Sequence, residues 1–417
     1  MKKIKKIFKK NSPEKQSPEK QSPEKNSAKK NPLKTFFQSQ VAVGVILIIA
    51  SALALVISNS ENHQLYFDFF SQNLDLNIKF LAIYKPLTLR DWVNDALMAV
   101  FFFLVGLELK SEILIGELSS RKKMTLPLIC ACGGVIFPIF LFLVFNSNAS
   151  QNAKGFAIPC ATDIAFAYGF IALFGKTFSD SLKVFLVALA VIDDLIAILI
   201  IAFFYTAEIK LFYIGYATLA CVGLYILNHK KSANLFLYGL FGVLLWLMIL
   251  KSGVHATIAG VVMALFIPLK IKKNNFLENI AHKISPSVNF LILPIFAFTN
   301  SGVKIDNFSL NYFNTPMVLG VGLGLFFGKQ IGVMLTAFLA HKLGFAKLPR
   351  GTDWLEFYGV SLFTGIGFTM SLFIASLAFG KNQLIFDEAK IGVLFGSILS
   401  VFGGSLVALI LLKRGRK

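Results

Sequence analysis

Residues 181–205 run SLKVFLVALAVIDDLIAILIIAFFY, and apolar side chains continue unbroken from Val184 to Ile192 and again from Leu195 to Phe204. A helix of about 25 residues rises roughly 37 Å, more than the hydrocarbon core of a bilayer, about 30 Å thick. The apolar positions do not alternate with period two, so a barrel strand is excluded and a buried or membrane-spanning helix is left. At its centre stand two acids, Asp193 and Asp194.

The same pattern recurs outward in both directions. Hydrophobic residues make up 56% of the 417-residue chain, more apolar surface than one soluble core can hide. Spans are expected near 36–58, 91–114, 124–145, 154–175, 181–205, 210–228, 234–251, 254–270, 287–303, 315–341, 354–380 and 387–412, an all-α polytopic membrane protein of about twelve transmembrane helices. Ala52, Leu53 and Ala54 faintly resemble a signal-peptidase site, but so many following spans predict a retained helix. The only sizeable outer loop is 59–90, within which 74–89 has weak hairpin character. No soluble domain is visible, so catalysis on a soluble substrate has no home.

The net charge of +19 is topology rather than a nucleic-acid signal. Twelve lysines, from Lys2 to Lys34, precede the first span, and Lys413, Arg414, Arg416 and Lys417 follow the last. Both termini are therefore expected in the cytoplasm, which an even number of spans permits. Between spans, fourteen lysines and arginines fall in the inner loops and nine in the outer ones, Lys390 among the latter. Residues 1–35 form a basic tail; NSPEK, QSPEK and QSPEK repeat from Asn11 to Lys25, too polar to offset the entropy of ordering. Ile4, Ile7 and Phe8 among its lysines suit anionic lipid headgroups as well as they suit a merely solvated tail. The membrane domain is 36–412, and 413–417 is a second basic tail. The four cysteines, Cys130, Cys132, Cys160 and Cys221, lie in apolar runs, without the spacing of a zinc site or disulfide framework.

An ionisable side chain at the middle of a spanning helix costs about 2.5–3.5 kcal/mol and so requires a reason. Asp95, Glu108, Glu112, Asp163, Asp193, Asp194 and Lys329 are the residues that require one. Neighbours on a helix point about 100° apart, so Asp193 and Asp194 cannot serve one partner, and two roles are expected. In KGFAIPCATDIAFAYGF (154–170), Pro159 removes a backbone hydrogen bond. Asp163 then either caps the restarted helix or, with Thr162 and unwound carbonyls, offers hard oxygen ligands to a small cation. Gly365 and Gly367 in TGIGFTMS loosen the eleventh span in the same way. Spans four and eleven are the middle members of spans 3–5 and 10–12, and paired interruptions mark transport sites. Lys329 follows Gly320, Gly324 and Gly328, whose spacing lets helices approach closely, and Asp193 is its expected partner; snorkelling to an interface is the alternative.

At these residues the chain resembles the NhaA family of bacterial sodium/proton antiporters. The resemblance runs in order through VNDALMAVFFFLVGLELK, PCATDIAFAYG, ALAVIDDLIAI, SGVHATIAG, LILPIFAFTNSGV, GKQIGV and GIGFTMSLFIASLAF. The resemblance implies an inverted repeat with two crossed, interrupted helices, no cofactor, and exchange of sodium or lithium ions for protons across a bacterial inner membrane. It implies sodium at Asp194, Asp193 and Thr162, with Lys329 as salt-bridge partner and Thr162, Asp163, Gly365 and Gly367 at the interrupted helices. Asp95, Glu108, Glu112, Glu278 and His255 match funnel or pH-response positions, and a hydrogen-bonded packing role for His255 stays open. A homodimer touching through an outer hairpin is also implied. Ser111 and the histidine spacing in LENIAHKISP depart from the family pattern. Two other classes use related parts. A sodium-coupled organic-solute transporter would need polar solute contacts that are sparse here, and an intramembrane aspartyl protease needs its acids opposed on separate helices, not adjacent.

Overall fold

The structure, a computed structural model, describes residues 40–78, 83–206, 209–304 and 313–415; the basic tail expected at 1–35, with its lipid contacts, lies outside them. Helix α1 (Gln40–Ser58) leads to an outer segment made of α2 (His63–Ser71) and the antiparallel strands β1 (Leu76–Ile78) and β2 (Ile83–Lys85), with Leu76 opposite Lys85. The hairpin weakly signalled at 74–89 therefore forms. Its Tyr84 phenol donates to Asp75 Oδ2 at 2.8 Å, and that carboxylate holds the phenol above its ordinary range.

A capping box between Thr88 and Asp91 starts α3 (Leu89–Trp92), which continues through a π-helical stretch, Val93–Leu97, into α4 (Met98–Leu114). Then come α5 (Arg121–Phe145), a 3-10 stretch Ser150–Cys160, α6 (Ile164–Leu173) and α7 (Asp180–Phe204). Next are α8 (Leu211–His229), α9 (Leu235–Ser252) and α10 (Ile258–Phe266). Helix α11 (Phe276–Ser287) joins α12 (Leu293–Ser301) through π-helical Val288–Ile292, and α13 (Pro316–Leu323) joins α14 (Lys329–Lys342) through π-helical Gly324–Gly328. The chain closes with α15 (Trp354–Phe363), α16 (Phe368–Phe379) and α17 (Gln383–Gly415).

Among the described residues, eight helices are long and apolar enough to cross a membrane, and ten if each of two bent pairs counts as one span. The bent pairs are Ser150–Cys160 with α6, at 45°, and α15 with α16, at 42°. They coincide with the fourth and eleventh expected spans. The second and eighth expected spans fall outside that count: α4 has 17 helical residues, about 26 Å of rise, and α10 has 9, about 14 Å. Lys110 reaches across from α4 to the carbonyls of Leu265 and Ile267, 2.6 and 2.5 Å away, covering the end of this short helix.

Lipid is the solvent for much of the surface, since Phe203, Leu211 and Phe236 are more than three-quarters exposed. Helix α7 is different: 67% of its spanning window is buried, against 22% for α8, so its acids lie inside protein rather than against lipid. Close packing around α7 depends on absent side chains. A Cβ on Gly332 would stand 2.2 Å from the Gly133 carbonyl oxygen, and one on Gly328 would stand 2.7 Å from Pro138 Cα. This brings α14, with Lys329, directly against α5. A second core, including Leu107, Leu224, Leu245, Ala264 and Leu277, gathers α8 to α11 beside α4.

One charge is not where the sequence predicts it. Lys390, expected in an outer loop, is wholly buried in the third turn of α17. Its ammonium donates to the Gly302 carbonyl at 3.0 Å and to Asp387 Oδ1 at 2.9 Å and lies 4.1 Å from the Phe386 ring centroid. The cause is α12, whose last carbonyls have no helical partner. Lys390 serves one of them, and the Tyr66 hydroxyl serves another, Phe298 O at 2.6 Å.

Candidate functional site

The two bent pairs cross where their helical backbone gives way. Residues 161–163 are extended after Pro159, and a turn at 364–365 followed by irregular 366–367 breaks the second pair, so each break exposes amides and carbonyls that need partners inside the protein. The breaks satisfy each other. The Asp163 amide donates to the Ile366 carbonyl at 2.7 Å. Asp163 Oδ1 accepts from the Phe166 amide at 3.1 Å, capping α6, while Oδ2 accepts from the Thr369 amide at 3.1 Å and from the Thr369 hydroxyl, capping the start of α16. Both readings of Asp163 bear on this geometry, and capping occupies both of its oxygens. Gly365 and Gly367 sit at the crossing: a Cβ would meet Leu325 O at 2.5 Å in the first case and Ser371 Oγ at 2.2 Å in the second. Their service is therefore close approach as well as looseness.

Asp193 and Asp194 project from α7 to different surroundings. Asp193 Oδ2 lies 2.6 Å from Lys329 Nζ, and both side chains are 0% exposed, which excludes snorkelling for Lys329. The Thr162 hydroxyl stands 2.9 Å from the same Asp193 oxygen and 2.8 Å from the Thr364 carbonyl. Its single proton serves one of them at a time. Asp193, Lys329, Thr162 and the second break thus form one buried network.

Asp194 faces away from that network into a cavity of about 120 Å³, which Glu108, Asp163, Thr369, Ser285 and Asn289 also line. Asp194 Oδ1 is buried and accepts no hydrogen bond, as is Asp193 Oδ1. A buried carboxylate oxygen without a donor is costly unless a proton or a cation joins it. The three expected sodium ligands are consequently divided: Asp194 is on the cavity, whereas Thr162 and Asp193 are bound to each other, with Lys329 on the same carboxylate oxygen. Asp163, Thr369, Ser285 and Asn289 take the cavity positions instead.

The outlying candidates are elsewhere. Asp95 lies in the π-helical turn 4.0 Å from Lys85 of the hairpin, and its carbonyl accepts from Trp246. Glu112 borders a separate pocket of about 370 Å³ with Tyr168, Asp180 and Lys183. Glu278 accepts from Asn275 at 2.8 Å in the first turn of α11. His255 Nε2 stands 2.7 Å from the Tyr205 carbonyl, the hydrogen-bonded packing arrangement. Thr369, Ser285, Asn289 and Lys390 escaped the sequence reading of the site. Thr369 carried a signal, a hydroxyl inside the quoted GIGFTMS run; the other three lie near the ends of the spans expected from sequence, where polar residues are ordinary.

Comparison with known proteins adds a second line of argument. The family described as Na+/H+ antiporter 1 matches residues 34–408. A protein of Pelagibacter ubique named Na(+)/H(+) antiporter NhaA is 47% identical over 380 residues, covering 91% of this chain and 97% of its own length. Na(+)/H(+) antiporter NhaA 1 of Syntrophotalea carbinolica is 46% identical over 375 residues, 89% and 94% of the two chains. The Campylobacter curvus protein named Na(+)/H(+) antiporter NhaA is 45% identical over 388 residues, 92% and 96%.

Proposed function

The chain belongs to the Na+/H+ antiporter 1 family and is a multi-pass sodium/proton antiporter, and from that premise we propose that the exchange takes place at Asp194. The observation that carries this is the division of two neighbouring acids, one neutralised by Lys329, the other bordering a cavity with an unpartnered oxygen.

A carboxylate at Asp194 accepts a proton or a sodium ion, each of which removes its bare charge. Competition between the two is the coupling. Exposed to the more acidic side, the site protonates and releases sodium; exposed to the more alkaline side, it loses its proton and sodium binds. Either occupied form is near neutral and crosses the low-dielectric interior, whereas the empty anion does not. Alternating access then exports sodium against its gradient using that of protons, supporting sodium and pH homeostasis. Lys329 adds electrogenicity: when Asp193 also takes up a proton and Lys329 lets go, more protons than sodium ions move in each cycle. Lithium, a cation of the same hardness, enters the same competition.

The charge bias favours an inner membrane, with both termini cytoplasmic and the 1–35 tail beside anionic lipids. The hairpin of β1 and β2 suits pairing with a second copy. Asp194→Asn is the direct test: in proteoliposomes it abolishes sodium-dependent proton release, and exchange at the parental rate would refute the assignment.

A further inference from the structure

The cavity beside Asp194 has two polar side chains on a helix that the exchange chemistry has not used. Asn289 lies in the π-helical stretch Val288–Ile292, and Ser285 lies one turn earlier on α11. Asn289 Nδ2 donates to Ser285 Oγ at 3.1 Å. With the amide nitrogen so engaged, Asn289 Oδ1 remains as an acceptor.

Of the other oxygens around the cavity, those of Asp163 accept from Phe166 and Thr369, the Thr369 hydroxyl donates to Asp163, and Glu108 adds a further carboxylate to the wall. Asp194 alone cannot satisfy a sodium ion, a hard cation that seeks several oxygens. Neutral oxygens from the wall complete the shell without adding to the negative charge of Asp194, Asp163 and Glu108. Cavity size, ligand number and ligand rigidity then decide between cations of different radius.

Resting on the assignment of exchange to Asp194, we propose that Asn289, held in place by Ser285, is a specificity-determining ligand: its amide oxygen completes the shell of the cation at Asp194 and sets the preference between sodium and lithium.

The full-length chain in proteoliposomes, driven by sodium or lithium gradients and followed by a proton-sensitive dye, tests this. Asn289→Leu keeps the volume and removes the oxygen; loss of one ligand predicts an apparent KM for sodium about tenfold higher, with kcat within about twofold of the parent. The ratio of lithium to sodium KM shifts by about threefold or more, since the smaller ion depends differently on wall oxygens. Asn289→Gln restores most of the sodium affinity, and Ser285→Ala gives an intermediate KM. Unchanged KM values for both ions in Asn289→Leu, or a fall in kcat alone, would overturn the proposal. Undiminished exchange in Asp194→Asn strikes instead at the underlying assignment, whatever the Asn289 variants do.

Discussion

Asp193 and Lys329 are a buried ion pair, and such a pair is felt most when one member is removed. Lys329→Ala leaves a lone carboxylate in the interior and is expected to destabilise the protein by about 3 kcal/mol, seen as a lower melting temperature in detergent. Adding Asp193→Asn removes the stranded charge and recovers much of that loss, a double-mutant comparison that isolates the coupling. Acidification gives a second expectation. Protons compete with sodium at Asp194, so as pH falls through the range where that carboxyl titrates the apparent KM for sodium rises ever more steeply, approaching about tenfold per unit on the acid side, while kcat at saturating sodium is little changed. A KM independent of pH would contradict competition at one site. These residues were legible in the sequence because a charge inside an apolar run has no cheap explanation. The roles of Ser285, Asn289 and Lys390 were not, because only contacts between distant segments reveal them. Lys390 reads as an outer-loop lysine until the unserved carbonyl at Gly302 is placed beside it.

The two interrupted spans were legible as elements, from Pro159 in one and the paired glycines in the other, but their conformations were not. Residues 150–160 wind as a 3-10 helix rather than an α-helix, and the π-helical turns at 93–97, 288–292 and 324–328 have no sequence signature that periodicity detects. The crossing itself makes a sharp prediction. A Cβ at Gly367 would lie 2.2 Å from Ser371 Oγ, 2.7 Å from Leu325 Cδ2 and 3.0 Å from the Ala161 carbonyl oxygen. Gly367→Ala therefore displaces the Ser371 and Leu325 side chains and crowds the opposite break at Ala161, with a stability loss of about 1–3 kcal/mol and most of the exchange activity gone. Gly44→Ala on α1 meets nothing within 4 Å and serves as the control, with melting temperature and transport both at parental values.

For the molecule as a whole, the sequence predicted a helical membrane protein with corresponding interruptions in spans 3–5 and 10–12, and the bent pairs fall at those places. The outer hairpin was only faintly legible, since three residues in each strand are too few for a clear alternation. It is anchored by Lys85 on the Leu250 carbonyl and by Lys251 on the Tyr84 carbonyl. On the proposed pairing of two copies through this hairpin, removing residues 76–85 is expected to turn a dimer into a monomer by light scattering in detergent while proteoliposomes still exchange sodium for protons; a full-length chain that is monomeric, or a dimer that persists after the deletion, would overturn that pairing. A last consequence concerns the Thr162 hydroxyl, suspended between Asp193 on α7 and the Thr364 carbonyl at the opposite break. A charged Asp193 draws this O–H toward itself, and a protonated one releases it to turn toward Thr364. One torsion thus works as a toggle, by which the occupancy of an acid beside one interrupted span is signalled to the backbone of the other.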